Sequence, residues 1–189
     1  MADLCVSTDV TSRVPSLASH PALAALISSA SLTVENYCRR TFAYSASIDE
    51  YHNGNGWSRL WLRRPPIASV ALIEISGSAI DVTQLNVNTD NNSGEVIWGS
   101  GYGDYRFGAK FPRGRHNIHV QYAGGFQTIP GPVVEATVQV VKCLADAAKA
   151  SPVYVREKIG DYEYQQAANV ELPSFAQKLL APYVLEVIF

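Results

Sequence analysis

The sequence predicts an α+β fold, with helices near both ends of the chain and an antiparallel β meander inserted between the first and second helices. Near both ends, apolar residues recur every three or four positions, which is the period of one helix face. Between Ile48 and Tyr122 the period changes to two, and turn residues interrupt it at short intervals, as in a series of short strands. The helices are expected at about residues 21–40, 131–150 and 173–181.

The first helix is expected from about Pro21 to Arg40. Proline suits the first helical turn because its missing N–H has no intrahelical partner there, and arginine at the other end complements the negative end of the helix dipole. The second long helix follows Pro130-Gly131-Pro132, extends to about residue 150 and ends before Ser151-Pro152. Because this helix is apolar on several sides, we expect neighbouring elements to bury it, including elements of other subunits.

The candidate strands run from Ile48 to His52, Ser58 to Leu62, Ile67 to Ile75, Ile80 to Val87, Glu95 to Trp98 and His116 to Tyr122. Asn53-Gly54-Asn55-Gly56 predicts a hairpin between the first two strands, because asparagine and glycine tolerate positive φ. Ser76-Gly77-Ser78 and the run from Asn88 to Gly94 indicate two further reversals. Pro65-Pro66 lacks two backbone donors, so the third strand is expected to start after it.

The segment from Val153 to Gln166 alternates loosely and holds three tyrosines around a Gly160-Asp161 turn. This pattern predicts a hairpin or an ordered arm. Tyr162 and Tyr164 are candidate interface residues, because tyrosine combines an apolar ring with a polar tip and protein interfaces favour it.

The C-terminal region is expected to be a helix followed by an apolar segment. The helix places Phe175, Leu179 and Leu180 inward, and Pro182 stops it. Because Pro182 stops the helix, the segment after it is expected to leave in an extended form. Termini are generally solvated, so an apolar end is expected to dock on another chain. A short strand packed on the same chain is the alternative. The candidate interface residues of this segment are Tyr183, Val184, Leu185, Val187, Ile188 and Phe189.

The composition fits a globular domain that meets a partner. The chain has 189 residues, enough for a single domain (1–189) with residues 48–122 as an inserted β unit. Charged residues make up 17%, below the roughly 25% of typical domains, so some apolar surface is expected to be covered. The formal net charge of -2 argues against a surface that neutralises many phosphates.

Cysteine usage and hydropathy exclude further classes of protein. The three cysteines are widely spaced without a C-x-x-C pair, which predicts neither a disulfide framework nor a zinc site and fits a reducing cytoplasm. Cys38 lies on an apolar helical stripe and is expected to be a buried small side chain. Met1 to Ser19 lacks the apolar core of a signal peptide, and no stretch is long enough for a membrane span.

The patterns typical of catalysis are weak. His116 and His119 suggest a metal site, but three positions apart in a strand they are expected on opposite faces, and no carboxylate is spaced to complete the site. Gly99 to Gly103 resembles a phosphate loop, but Asp104 stands where a dinucleotide fingerprint needs glycine. We therefore expect no enzyme, no catalytic residue, no cofactor and no metal. A hydrolase around Asp104 and the two histidines is the enzymatic alternative.

Trp57 and Trp61 alternate with Arg59, Arg63 and Arg64, which is the composition of a single-strand nucleic-acid platform. A solvated strand whose tryptophans pack on the sheet is the stronger interpretation. The alternative function for the whole chain is a small β-rich ligand- or carbohydrate-binding module that uses its three tryptophans and the glycine-rich loop.

Six segments occur in a specific order along the chain: Val34 to Phe42, Tyr51 to Gly54, Leu60 to Ile67, Val120 to Phe126 with Ile129-Pro130, Ile159 to Tyr164, and Leu179 to Tyr183. In this order they resemble the head-to-tail adaptor (connector) proteins of long-tailed double-stranded DNA bacteriophages, including the longer members with a β insertion between the first two helices. Each segment alone is weak. Six in the right order are much more specific, because independent chance matches multiply.

The resemblance implies a non-enzymatic virion neck subunit made of one adaptor-like domain. Such a subunit joins identical copies in a ring, implied to be a dodecamer, between the portal protein and a downstream neck or tail protein. Double-stranded DNA passes through the lumen without specific binding, which suits a mildly acidic chain. The resemblance further implies assembly in the host cytoplasm and no membrane partner.

Overall fold

The computed structural model describes residues 2–87, 93–99, 109–149, 157–159, 162–164 and 172–185. The chain divides into two compact units. Met1–Arg39 and Ile129–Phe189 form the helical unit, and Arg40–Thr128 forms the β unit. Helices precede and follow an antiparallel β region along the chain, so the predicted α+β class is confirmed.

The described part of the helical unit has four α-helices: α1 (Ser7–Arg13), α2 (Leu23–Cys38), α3 (Gly131–Lys149) and α4 (Ser174–Leu180). The helix α3 packs against each of the other three. Its buried side chains are Val133, Ala136, Thr137, Val138, Val140, Val141 and Ala145. Helices of the same chain therefore bury this apolar helix as expected, and burial by other subunits stays a prediction. In the described residues no helix is both long and apolar enough to cross a membrane.

The helix α2 confirms the first predicted helix, although it is shorter than Pro21 to Arg40. Arg39 adopts the left-handed conformation with φ 55°, and its N–H donates to the carbonyls of Glu35 and Asn36, which ends the helix. The buried stripe of α2 includes Leu23, Ile27, Ala30, Val34 and Cys38. The expected buried position of Cys38 is thereby confirmed.

The sequence does not predict the short helix α1, because seven residues give only two turns of pattern. Its stability comes from specific contacts. Val10 is fully buried, and the Asp9 carboxylate accepts the N–H of Val6 at 3.0 Å. At the other end, Arg13 Nε lies 2.7 Å from Glu135 Oε2 on α3. Tertiary packing, not local pattern, therefore selects this helix.

The described part of the β unit has two antiparallel sheets. Their strands are β1 (Ser45–Gly54), β2 (Arg59–Trp61), β3 (Ile67–Ile75), β4 (Ser78–Ala79), β5 (Leu85–Val87), β6 (Glu95–Trp98) and β7 (Gly114–Gly124). The strand order is β1-β7-β3-β4 in the larger sheet and β2-β6-β5 in the smaller one. Residues of both sheets share one buried core, formed by Leu60, Leu62, Ile67, Ile73, Val96, Phe111, Ile118, Val120 and Tyr122.

The predicted hairpin between the first two strands is wrong, because β1 pairs with β7 and β2 pairs with β6. The residues of the expected turn contact β7 instead. The Gly54 N–H donates to Asn117 Oδ1 at 2.9 Å, and Asn53 Oδ1 accepts the His116 N–H at 2.8 Å. A Cβ on Gly54 would lie 1.8 Å from the Pro112 carbonyl oxygen, so glycine permits a close approach of two chain segments.

The other predicted turns of the β unit are confirmed. Ser76 and Gly77, with φ of 52° and 83°, connect β3 to β4 in the manner of a type I′ hairpin. The antiparallel pairing of β5 with β6 requires a reversal between them, although residues 88–92 of that connection lie outside the described residues. The strand β3 begins directly after Pro65-Pro66.

The fourth predicted strand begins later than Ile80. Asp81 accepts the Thr83 N–H at 2.9 Å and caps a 3-10 turn at Val82–Gln84. The strand β5 therefore starts at Leu85. An aspartate side chain that accepts a backbone N–H offers the chain an alternative to strand pairing.

The hairpin predicted between α3 and α4 is confirmed, since β8 (Glu157–Ile159) pairs antiparallel with β9 (Tyr162–Tyr164). The last predicted helix is α4, and a 3-10 turn at Ala181–Tyr183 follows it. The predicted inward position of Phe175 is wrong, because this side chain is 55% exposed. Ala176 and Leu180, four positions apart, form the buried stripe.

Candidate functional site

The C-terminal segment begins against the helical unit's own surface. Tyr183, Val184 and Leu185 are half-buried. The Leu185 N–H donates to the Cys38 carbonyl at 3.0 Å, so the chain returns to the end of α2. This contact orders the start of the segment on its own subunit. Docking of the rest of the segment on another chain stays a prediction.

The structure describes little or nothing of the remaining predicted interface residues. Val187, Ile188 and Phe189 lie outside the described residues. Tyr162 and Tyr164 lie on β9, where the backbone but not the side chains is described. These five residues therefore stay a predicted interface.

Each unit exposes several large apolar side chains. They are Val6, Leu32 and Phe175 in the helical unit and Tyr44, Tyr51 and Trp57 in the β unit. Single exposed apolar residues are normal on protein surfaces, so no periodic signal marks them. A partner that covered these side chains would bury apolar area.

A partly buried polar network in the β unit is centred on Glu50. The Glu50 carboxylate accepts hydrogen bonds from the Tyr122 hydroxyl at 2.6 Å and the Arg63 N–H at 3.2 Å, and it lies 2.9 Å from His52 Nε2. The Tyr122 hydroxyl in turn accepts the Arg64 N–H at 3.1 Å. The network therefore attaches the segment that precedes β3 to β1 and β7.

The hydrogen bonds keep Glu50 ionised in spite of its burial. Burial acts to raise the pKa of Glu50, but the hydrogen bonds from His52, Tyr122 and the Arg63 N–H together lower this pKa below its ordinary value. Burial and the neighbouring Glu50 carboxylate raise the pKa of Tyr122. The Tyr122 hydroxyl therefore stays protonated and donates a hydrogen bond to Glu50.

The substitution Tyr122→Phe is expected to lower the free energy of unfolding by about 1–3 kcal/mol, because it leaves Glu50 and the Arg64 N–H each without one hydrogen-bond partner. Urea unfolding measures the change. Tyr51→Phe is the matched control, since Tyr51 is 52% exposed, and it is expected to change stability by less than about 0.5 kcal/mol. Equal midpoints for the two variants would contradict a stabilising role for the network.

The other face of the larger sheet has an aromatic stack around Tyr51. In the register of β1 and β7, Tyr51 lies opposite His119, and its ring is 4.6 Å from the His119 ring and 6.4 Å from the His116 ring. The expectation that the two histidines lie on opposite faces is therefore wrong. His116 has φ 48° and lies in a register shift between β1 and β7, which brings both rings to the same tyrosine.

His119 also lies between two carboxylates, which the sequence spacing does not indicate. His119 Nδ1 is 3.0 Å from Glu74 Oε2 on β3, and His119 Nε2 is 2.5 Å from Asp49 Oδ1 on β1. Each ring nitrogen faces its own carboxylate, and within the described ranges no three His, Cys, Asp or Glu residues are grouped to hold a metal ion. Asp104 of the hydrolase alternative lies outside the described residues.

The tryptophans do not form one exposed platform. The Trp98 ring packs against Phe111, with ring centroids 5.4 Å apart, and Trp61 is half-buried. Trp57 is 61% exposed. Arg59 Nη1 lies 3.0 Å from Glu95 Oε1, so a carboxylate offsets part of the basic cluster. These contacts favour the structural interpretation of the aromatic and basic residues over a nucleic-acid platform.

No family model matches the sequence, and no curated protein matches it. Solved structures do resemble it. One chain in a structure described as the neck of the native gene transfer agent particle computed with C12 symmetry has a TM-score of 0.57 and 11% identity, covering 100% of this chain and 96% of that chain. This chain is similar in fold to a neck protein.

Two further structures contain chains of similar fold. A chain in the neck of the empty particle, computed with C6 symmetry, has a TM-score of 0.55 and 14% identity over 89% of this chain and 80% of that one. A chain in the virion of the native gene transfer agent particle has a TM-score of 0.53 and 13% identity over 89% of this chain and 79% of that one. At these identities the likeness shows the fold alone and does not assign individual site residues.

Proposed function

We propose that this protein is a non-enzymatic structural subunit in the neck of a phage or phage-like particle. It forms a ring with identical copies, joins the portal protein to the next neck or tail protein, and continues the DNA channel. The observation that supports this best is the fold likeness to a gene transfer agent neck chain over 100% of this chain and 96% of that one. The six sequence segments that resemble the adaptor family, and their order along the chain, also favour the adaptor role.

Ring formation is the part of the proposal with the most direct physical support. The neck structures of the similar chains were computed with C12 and C6 symmetry. A cyclic ring needs two different faces of one subunit that fit each other, because only such heterologous contacts close by rotation. Exposed apolar side chains in both units, such as Phe175 and Trp57, supply surface for these faces.

The charge of the chain fits a lumen through which DNA slides. The net charge is -2, with 15 basic and 17 acidic residues. A basic surface would release counterions and bind the phosphate backbone, which would hold the DNA in place. The DNA is therefore a passing molecule in this proposal and not a bound ligand, and the protein partners are the portal and the downstream neck or tail protein.

The isolated protein is expected to be a monomer or a weak oligomer at micromolar concentration, because contact with the portal triggers ring assembly in this proposal. Light scattering measures the state of the isolated chain, and electron microscopy of the protein mixed with its portal shows the assembled state. Rings added to the end of the portal are the expected result. An obligate two-fold dimer would contradict the proposal, since isologous contacts do not build such rings.

A further inference from the structure

The imidazole of His119 connects three neighbouring strands of the larger sheet. His119 lies on the central strand β7, Glu74 lies directly opposite it on β3, and Asp49 lies diagonally opposite on β1. Its ring contacts both carboxylates through different nitrogens, at 3.0 Å and 2.5 Å. The His119 side chain is 15% exposed, and the Tyr51 ring stacks on it at 4.6 Å. The position of the ring is therefore fixed from three directions.

The two carboxylate contacts of His119 require its imidazole to be protonated. An ionised carboxylate only accepts hydrogen bonds, and a neutral imidazole has one donor nitrogen and one acceptor nitrogen. A neutral His119 would therefore direct a lone pair at either Asp49 or Glu74. Only the imidazolium, with two N–H donors, satisfies both carboxylates at once.

We propose that His119 is a pH-sensitive tie that holds the edge strand β1 to β3 across β7 when the imidazole is protonated and that weakens when the proton is lost. In the described residues β1 pairs with β7 alone, so this side-chain tie adds a second connection to an edge strand. Edge strands are the part of a sheet most prone to pair with other chains. The proposal does not depend on the neck function.

Two further side chains lie close to this cluster. Gln121 Nε2 lies 3.3 Å from Asp49 Oδ1 and keeps that carboxylate in place on β1. His116 is the other titratable group on β7 near the stack, and its ring lies against Tyr51. The hydrogen bonds to Glu74 and then to Asp49 raise the pKa of His119, and the hydrogen bond from His119 is the main cause that lowers the pKa of Asp49.

The sign of the pH dependence follows from these directions. A histidine whose pKa is raised in the folded state contributes stability that is complete below its unfolded pKa of about 6.5 and is lost as the pH rises through the folded pKa. An aspartate whose pKa is lowered contributes stability above its unfolded pKa of about 3.9 and loses it as the pH falls through the folded pKa. The tie is therefore strongest in mildly acidic solution and opens on the alkaline side.

Histidine NMR titration tests the charge state directly. The chain has four histidines, so histidine-to-glutamine variants assign each signal. The His119 midpoint is expected above about 6.5, the value of an unperturbed histidine, and Asp49→Asn or Glu74→Gln should each lower it. Glu95→Gln is the matched control, because Glu95 pairs with Arg59 in the smaller sheet. A midpoint at or below 6.5, or one that neither substitution lowers, would overturn the proposal.

Thermal unfolding at pH 6 and pH 9 tests the effect on the fold. The wild-type Tm is expected to fall by about 2–4 °C more than that of His119→Gln over this interval. His116→Gln should retain the wild-type fall, because it leaves both carboxylate contacts in place. An equal fall in wild type and His119→Gln would refute the tie. If His119→Gln does not fold, the NMR midpoints in Asp49→Asn and Glu74→Gln decide the question.

Discussion

Replacing Phe111 by alanine is expected to lower the free energy of unfolding of the β unit by about 3–5 kcal/mol. Phe111 is fully buried, and its ring lies against the Trp98 ring within the core that both sheets share. Its backbone also holds the segment before β2, since its N–H donates to the Trp57 carbonyl and its carbonyl accepts the Gly56 N–H. Truncation of the ring therefore leaves a cavity at the junction of several elements.

The expected loss for Phe111→Ala is a large fraction of the roughly 5–15 kcal/mol that stabilises a typical domain. Tryptophan fluorescence in urea reports on the β unit specifically, because Trp57, Trp61 and Trp98 all lie within Arg40–Thr128. Tyr51→Phe is the control in the same unit, since this side chain is 52% exposed on β1, and its effect should stay within about 0.5 kcal/mol. A Phe111→Ala loss below about 1 kcal/mol would show that the site collapses without a cavity.

Long periodic segments could be predicted from the sequence because their signal is local. The stripes of α2 and α3 repeat over several turns, and both helices lie within two residues of their expected bounds. The helix α1 lacks such a stripe, and a buried Val10 and the ion pair from Arg13 to Glu135 stabilise it instead. A contact between residues so far apart in sequence produces no pattern within a short stretch of the sequence.

Strand pairing between residues far apart in sequence could not be predicted for the same reason. Local turn chemistry at Asn53-Gly54 favours a hairpin, but the Asn117 amide, 63 positions away, accepts the Gly54 N–H and aligns β1 with β7. The carboxylates around His119 are equally remote, with Glu74 at 45 positions and Asp49 at 70 positions. The sequence shows which residues are titratable, whereas only the strand order shows which of them meet.

Two truncations separate the role of Tyr183 to Leu185, which contact the chain's own helical unit, from the role of residues 186–189. Truncation after Pro182 removes the hydrogen bond from the Leu185 N–H to the Cys38 carbonyl along with half-buried side chains. Truncation after Leu185 keeps that hydrogen bond and removes residues 186–189 alone. The first variant is expected to lose about 1–3 kcal/mol of stability from one hydrogen bond and partial burial, and the second to retain the wild-type Tm within about 2 °C.

Truncation after Leu185 is expected to weaken portal binding at least 100-fold, on the proposal that this segment docks on the portal or on a neighbouring copy. Val187, Ile188 and Phe189 would each contribute about 1.5–3 kcal/mol if buried by a partner, less the cost of ordering the segment, and each 1.4 kcal/mol is a factor of ten in affinity. A portal pull-down measures the loss. Full-length Glu186→Gln controls for the charge that truncation removes. A truncated protein that binds the portal normally would show that the segment is a bystander, and one that unfolds would show that it belongs to the subunit's own core.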